Sequence, residues 1–179
     1  MKAAVLIDGE NVVMALQNIL ARRVLLDKDL DWEGLFEYLK AHGYDVIIAR
    51  IYANPFVLSN PHVINNLEKM GIRVVLSEST KNENGVKSTT DATMIVEGME
   101  ILYERPTVDA IVIVSGDRDF IPLADKAKEL GKEVLFAAFL DSTANIIQKR
   151  YEVIDLLGFS ILDESFGDNY FNSVKQVTI

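Results

Sequence analysis

The sequence predicts an α/β fold: a three-layer α/β/α sandwich around a mostly parallel sheet of five or six strands. Three observations carry this. Short apolar, β-branched runs alternate along the chain with stretches of helical periodicity, the pattern of parallel strands joined by helical crossovers. The run Ile111-Val112-Ile113-Val114 is apolar without a break, as suits a strand covered on both faces. Two such runs end on a glycine and an acid together, at Asp8-Gly9 and Gly116-Asp117.

In chain order, residues 2–7 are an apolar strand ending at Asp8. Gly9 turns the chain into a helix with the stripe Val12, Val13, Leu16, Ile19 and Leu20. Residues 22–30 connect, first basic and then acidic. Asp31 caps a helix carrying Leu35, Phe36 and Leu39, which Gly43 stops. Residues 44–53 are the second strand. Asn60-Pro61 opens a helix, with proline at its first position, that Gly71 closes. Residues 72–77 are the third strand, and the polar stretch 78–89 reads as a mobile loop.

A long helix from about Thr90 to Arg105 precedes the central strand. Its periodicity places Ala92, Ile95, Val96, Met99 and Tyr103 on the packing face, with Thr93, Glu97, Glu100 and Glu104 on the opposite arc. Phe120, Leu123, Ala124 and Ala127 make the next helical stripe, closed by Gly131. Val134 to Leu140 is a fifth strand, Ser142 caps a short helix to about Arg150, and a sixth strand is expected at 159–162. One domain is expected over residues 1–163. The tail, residues 164–179, is apolar enough at Tyr170, Phe171, Val174, Val177 and Ile179 to pack on the body or on a second subunit of a homodimer.

The chain has 179 residues and a net charge of −9, which weighs against a protein that clamps duplex DNA by charge alone. It has no cysteine, which excludes disulfides and cysteine-ligated zinc. No segment reads as a signal peptide or a membrane span, and a cytoplasmic protein is expected.

Asp8 and Asp117 follow different strands, so both lie at the carboxyl edge of the sheet, where open α/β sheets bind ligands. If their strands are neighbours, the two acids face each other across the crevice. Asp91, at the start of the long helix, can point along the same edge. Converging carboxylates repel unless protons or cations neutralise them. Oxygen ligands without cysteine or histidine suit Mg2+ or Mn2+, which can polarise a phosphoryl oxygen and activate water. His42 belongs to the opposite end of the sheet, and His62 opens a helix beyond a loop. A plainer account also exists for each acid: Asp8 and Asp117 can cap helices, and Asp119 can favour a helix N-terminus.

Ile7-Asp8-Gly9-Glu10-Asn11 and Val114-Ser115-Gly116-Asp117-Arg118-Asp119-Phe120 resemble the signatures of the NYN domain, a branch of the PIN-like nuclease superfamily that includes the LabA-like proteins. The resemblance extends over roughly residues 1–160. It implies a PIN-like fold and a metal-dependent ribonuclease. By position, Asp8, Asp91, Asp117 and Asp119 resemble the acidic catalytic cluster, with Asp8, Asp91 and Asp117 as metal ligands. Asn11 resembles a residue that braces the site or binds a metal-held water, and Ser115 a frequent small hydroxyl residue. Arg118 is a candidate phosphate contact or a partner for a neighbouring acid, and Lys87 is a candidate phosphate contact. Here Lys87-Ser88-Thr89-Thr90 replaces the Lys-Gly that often stands two residues ahead of the mid-chain acid. Glu97 falls where a further family acid would stand, but the helical arc directs it to solvent.

Two other functions fit the same residues. In a haloacid-dehalogenase-like phosphatase, Asp8 would be the nucleophile, Glu10 the acid two residues on, and Ser77 the end of strand three. A non-catalytic RNA- or protein-binding module on this fold is the other.

Overall fold

In the computed structural model, residues 1–160 are described. Six strands form one sheet in the order β3-β2-β1-β6-β7-β8, and every neighbouring pair is parallel. These are β1 (Lys2–Asp8), β2 (Asp45–Ala53), β3 (Arg73–Leu76), β6 (Ala110–Val114), β7 (Glu133–Ala138) and β8 (Glu152–Asp155). Winding runs outward from β1 in one direction through β2 and β3, then restarts at β6 in the other. The expected adjacency of β1 and the central strand holds, with Ile7 opposite Val114.

Side chains alternate across the sheet, as a period of two requires. Val5, Ile7, Val112 and Val114 face one core, which they share with Val12 and Leu16 of α1 (Gly9–Leu20), Trp32 and Leu35 of α2 (Trp32–Ala41), and Leu67 of α3 (Pro61–Lys69). Ala4, Leu6, Ile111 and Ile113 face the other core. There they meet Met94 and Ile101 of α4 (Thr90–Glu104), Leu123 and Ala127 of α5 (Ile121–Glu129), and Ile147 of α6 (Asn145–Arg150). This is the three-layer PIN-like sandwich. Among the described residues, no helix is long and apolar enough to cross a membrane.

Four expectations need correction. Residues 78–89 are not an irregular loop: β4 (Ser79–Asn82) and β5 (Gly85–Ser88) pair as an antiparallel hairpin around a turn in which Gly85 takes φ +113°. A sixth strand lies at Glu152–Asp155; of the expected span 159–162, Phe159 ends a 3-10 turn and Ser160 bridges Leu30, and the rest lies outside the described residues. Ser142 lies in a separate 3-10 turn, and α6 starts after Ala144 with no side-chain cap. The deepest packing face of α4 is Met94, Gly98, Ile101 and Leu102; of the expected face, Ile95 and Met99 do pack against the core partly buried, whereas Val96 and Tyr103 are 58% and 60% exposed. The tail at 164–179, and residues 161–163 before it, lie outside the described residues.

Candidate active site

The site grows from the ends of β1 and β6. Asp8 closes β1 and caps α1, its Oδ1 accepting from the Asn11 backbone N–H at 3.1 Å. Its Oδ2 accepts from Ser115 Oγ at 3.0 Å. Asn11 Oδ1 in turn accepts from Gly116 N–H at 3.0 Å. These bonds fasten the turn after β6 to the turn after β1. A side chain at Gly116 would press on the backbone of Thr143, 3.0 Å away, so glycine lets the following loop close over the turn.

Asp117 projects from this turn. Its backbone N–H donates to Ser115 Oγ at 3.1 Å, and its Oδ1 accepts from Asp119 N–H at 2.9 Å, capping a 3-10 turn over Arg118–Phe120. Phe120 is fully buried and anchors that turn. Asp91 arrives from the first turn of α4. Carboxylate oxygens of Asp91, Asp117 and Asp119 lie within 4.8 Å of one another. Asp91 and Asp117 are half-buried, and Asp119 is exposed.

Burial raises the pKa of Asp91 above the ordinary range, and the nearby charges of Asp117, Glu10 and Asp119 raise it further. Burial also pushes Asp8 up to about 7, against the two hydrogen bonds that favour its charged form. The charge of Asp91 adds to that rise. A centre of converging hard carboxylate oxygens has the donor chemistry of a Mg2+ or Mn2+ site. The three acids that share one small volume therefore fit such an ion.

The expected metal set was Asp8, Asp91 and Asp117. The structure gathers Asp91 and Asp117 but puts Asp119 in the third place. Asp8 is only 2% exposed and stands behind the cluster with both oxygens engaged. Ser115 is fully buried and bonds the acid-bearing turns, so it braces the site and is closed to substrate. Asn11 braces it as well. Arg118 is exposed beside Asn11, Ser142 and Asn145, where a crevice of about 550 Å³ opens. Lys87 is exposed on β5 and is not one of the residues gathered in the acidic cluster.

Two acids do what the sequence did not disclose. Glu97 faces the sheet, its Oε2 accepting from Arg50 Nη1 at 2.6 Å and from Tyr52 Oη at 2.8 Å. Glu10 holds the hairpin: Oε1 accepts from Thr90 Oγ1 at 2.7 Å, Ser88 Oγ at 3.0 Å and Asn54 N–H at 3.2 Å, and also from the Asn54 side-chain amide. With Glu10 so engaged and Asp8 enclosed, the geometry counts against a phosphatase that uses them as acid and nucleophile.

A parallel sheet with an acidic cluster at its winding reversal is the arrangement expected of a nuclease-type domain of the PIN-like class. The family model of the NYN domain matches residues 2–157, and the chain belongs to that family. NYN nuclease domains typically depend on divalent metal. An uncharacterized protein of Methanocaldococcus jannaschii, MJ0482, is 28% identical over 162 residues, which cover 87% of this chain and 58% of that protein. The chain thus spans well under two thirds of this relative's length. The crystal structure of VPA0982 from Vibrio parahaemolyticus, a protein of unknown function, superposes with a TM-score of 0.67 at 22% identity. It covers 87% of this chain and 92% of that one, and shows the shared fold.

Proposed function

We propose that this chain is a divalent-metal-dependent ribonuclease that hydrolyses phosphodiesters within RNA. The observation that carries the proposal is the convergence of Asp91, Asp117 and Asp119 oxygens within 4.8 Å at the β1/β6 crevice. Asp91 is placed by α4, and Asp117 and Asp119 by the turn that Ser115, Asn11 and Phe120 fix. Together they would hold Mg2+ or Mn2+ at the site. The bound ion would supply a Lewis acid to the phosphodiester and a water nucleophile at neutral pH. Arg118, exposed next to Asp117, is placed to take a phosphate oxygen through its guanidinium. The motifs at Ile7–Asn11 and Val114–Phe120 support placing the chain near the LabA-like group.

The test is cleavage of a labelled single-stranded RNA with Mn2+ added or withheld. Removing even an outer-shell partner of a metal costs about 10–100-fold in affinity or activity. Asp91→Asn and Asp117→Asn should therefore each lower the rate by at least about 100-fold. Mn2+ should raise the melting temperature of the wild type and leave that of the Asp91→Asn/Asp117→Asn protein unmoved. Metal-independent cleavage, or full activity in the double variant, would refute the proposal.

A further inference from the structure

A cavity of about 630 Å³ lies beside the acidic cluster, between the tips of β2 and β3 and the β4–β5 hairpin. Pro55, Leu76, Thr80 and Lys87 line it, together with Ser88 and Thr89. Thr89 precedes α4, so the wall of the cavity runs within two residues of Asp91. Phe56, next to Pro55, is 57% exposed, and Lys81 Nζ stands 6.0 Å from its ring centroid. Leu76, in the cavity wall, is also exposed. Phe56 belongs to neither apolar core, and its ring stays accessible next to the cavity wall.

The cavity, the acids and the Arg118 crevice lie along one edge of the sheet. They occupy the tips of β2/β3, β1/β6 and β6/β7 in turn. At about 4.8 Å per strand, the middle of the cavity is roughly 10 Å from the acids. A flexible strand crossing the edge would meet all three. Glu78 also lines the cavity, and Glu83 sits in the hairpin turn, so Lys81 and Lys87 leave no local excess of positive charge. Recognition at this edge then falls to the Phe56 ring and to the two lysines acting singly. That matches single-stranded nucleic acid, whose bases offer faces to an aromatic ring while its phosphates meet individual lysines.

We propose that this cavity, with the Phe56 ring and Lys81 at its edge, forms a nucleobase subsite for single-stranded RNA. Phe56 stacks a base that flanks the phosphate held at the acids, and Lys81 and Lys87 take neighbouring phosphates. The proposal rests on the ribonuclease reading and adds the subsite that places the strand.

The test uses the full-length chain carrying Asp117→Asn, which should bind without cutting. A labelled oligoribonucleotide of mixed sequence, single-stranded or annealed to its complement, is titrated by fluorescence anisotropy. Loss of one base stack corresponds to about a 5- to 150-fold weakening. Phe56→Ala and Phe56→Leu should weaken single-strand binding within that range, and Phe56→Trp should retain it. Lys81→Ala and Lys87→Ala should each weaken it less. Duplex RNA, whose bases are already stacked, should bind more weakly and be indifferent to Phe56. Photocrosslinking with 4-thiouridine should label the peptide that contains Phe56, a readout independent of any variant's folding. If the parent binds the strand and both Phe56→Ala and Phe56→Leu bind equally well, the subsite is overturned and the ribonuclease reading stands. If the parent binds no RNA, both fall.

Discussion

Asp8 shows how one side chain can be a helix cap and part of a functional centre together. The strand-end motif marked it correctly as belonging at the carboxyl edge. What the sequence could not show was depth: Asp8 is enclosed, while Asp119, a step further along the turn, reaches the cluster. Its raised pKa gives a pH dependence with a definite sign. The folded state keeps the Asp8 proton up to about 7, whereas the ordinary value is 3.8. The folded form therefore binds more protons across that window, and stability falls as pH rises through it, levelling off above. Asp8→Asn abolishes this dependence. Urea melts in chelator should show the variant gaining stability relative to wild type from pH 4 to pH 8. A stability difference that does not change with pH would contradict the assignment.

At the scale of elements, α4 and the hairpin were the least legible. The helix is apolar on more than one side, and Gly98, having no side chain, carries no weight in a periodicity. Yet Gly98 is where the helix approaches its neighbours, which rotates Glu97 inward to Arg50 and leaves Val96 and Tyr103 exposed. The hairpin was hidden because its strands lack the apolar alternation of a sheet that covers a core. It is held instead by Glu10, whose partners stand 44 to 80 residues away in sequence. No local pattern announces such a contact. Glu10→Ala should release the hairpin: amide exchange at residues 79–88 should quicken by tenfold or more, about 1.4 kcal/mol of lost protection, while β1 and β6 keep theirs. Unchanged exchange would show that Glu10 does not hold it.

For the whole molecule, alternation of strand and helix disclosed a parallel sheet with two covered faces. It did not disclose the strand order, because crossovers of similar length can carry a strand to either side. The placement of β8 was missed because Glu152 and Asp155 dilute its apolar signal and Phe159 draws the pattern further on. How tightly the layers meet is a global property with a local test. A Cβ at Gly98 would lie 2.8 Å from Leu123 Cδ2 and 3.1 Å from Leu6 Cδ1. Alanine gains up to about 1 kcal/mol in helix propensity, but overpacking a filled core typically costs about 1–3 kcal/mol. Gly98→Ala should therefore lower the melting temperature by several degrees. A rise would mean the helix layer has room to give.

The glycines that let the chain reverse from helix to strand, Gly43, Gly71 and Gly131, all take left-handed φ values of 74° to 90° and all sit on the rim opposite the acids. The left-handed helix-to-strand turns and the chemistry are thus kept at opposite ends of the sheet. Substitutions that reshape what this domain recognises can accumulate on one end without touching the turns on which the architecture depends.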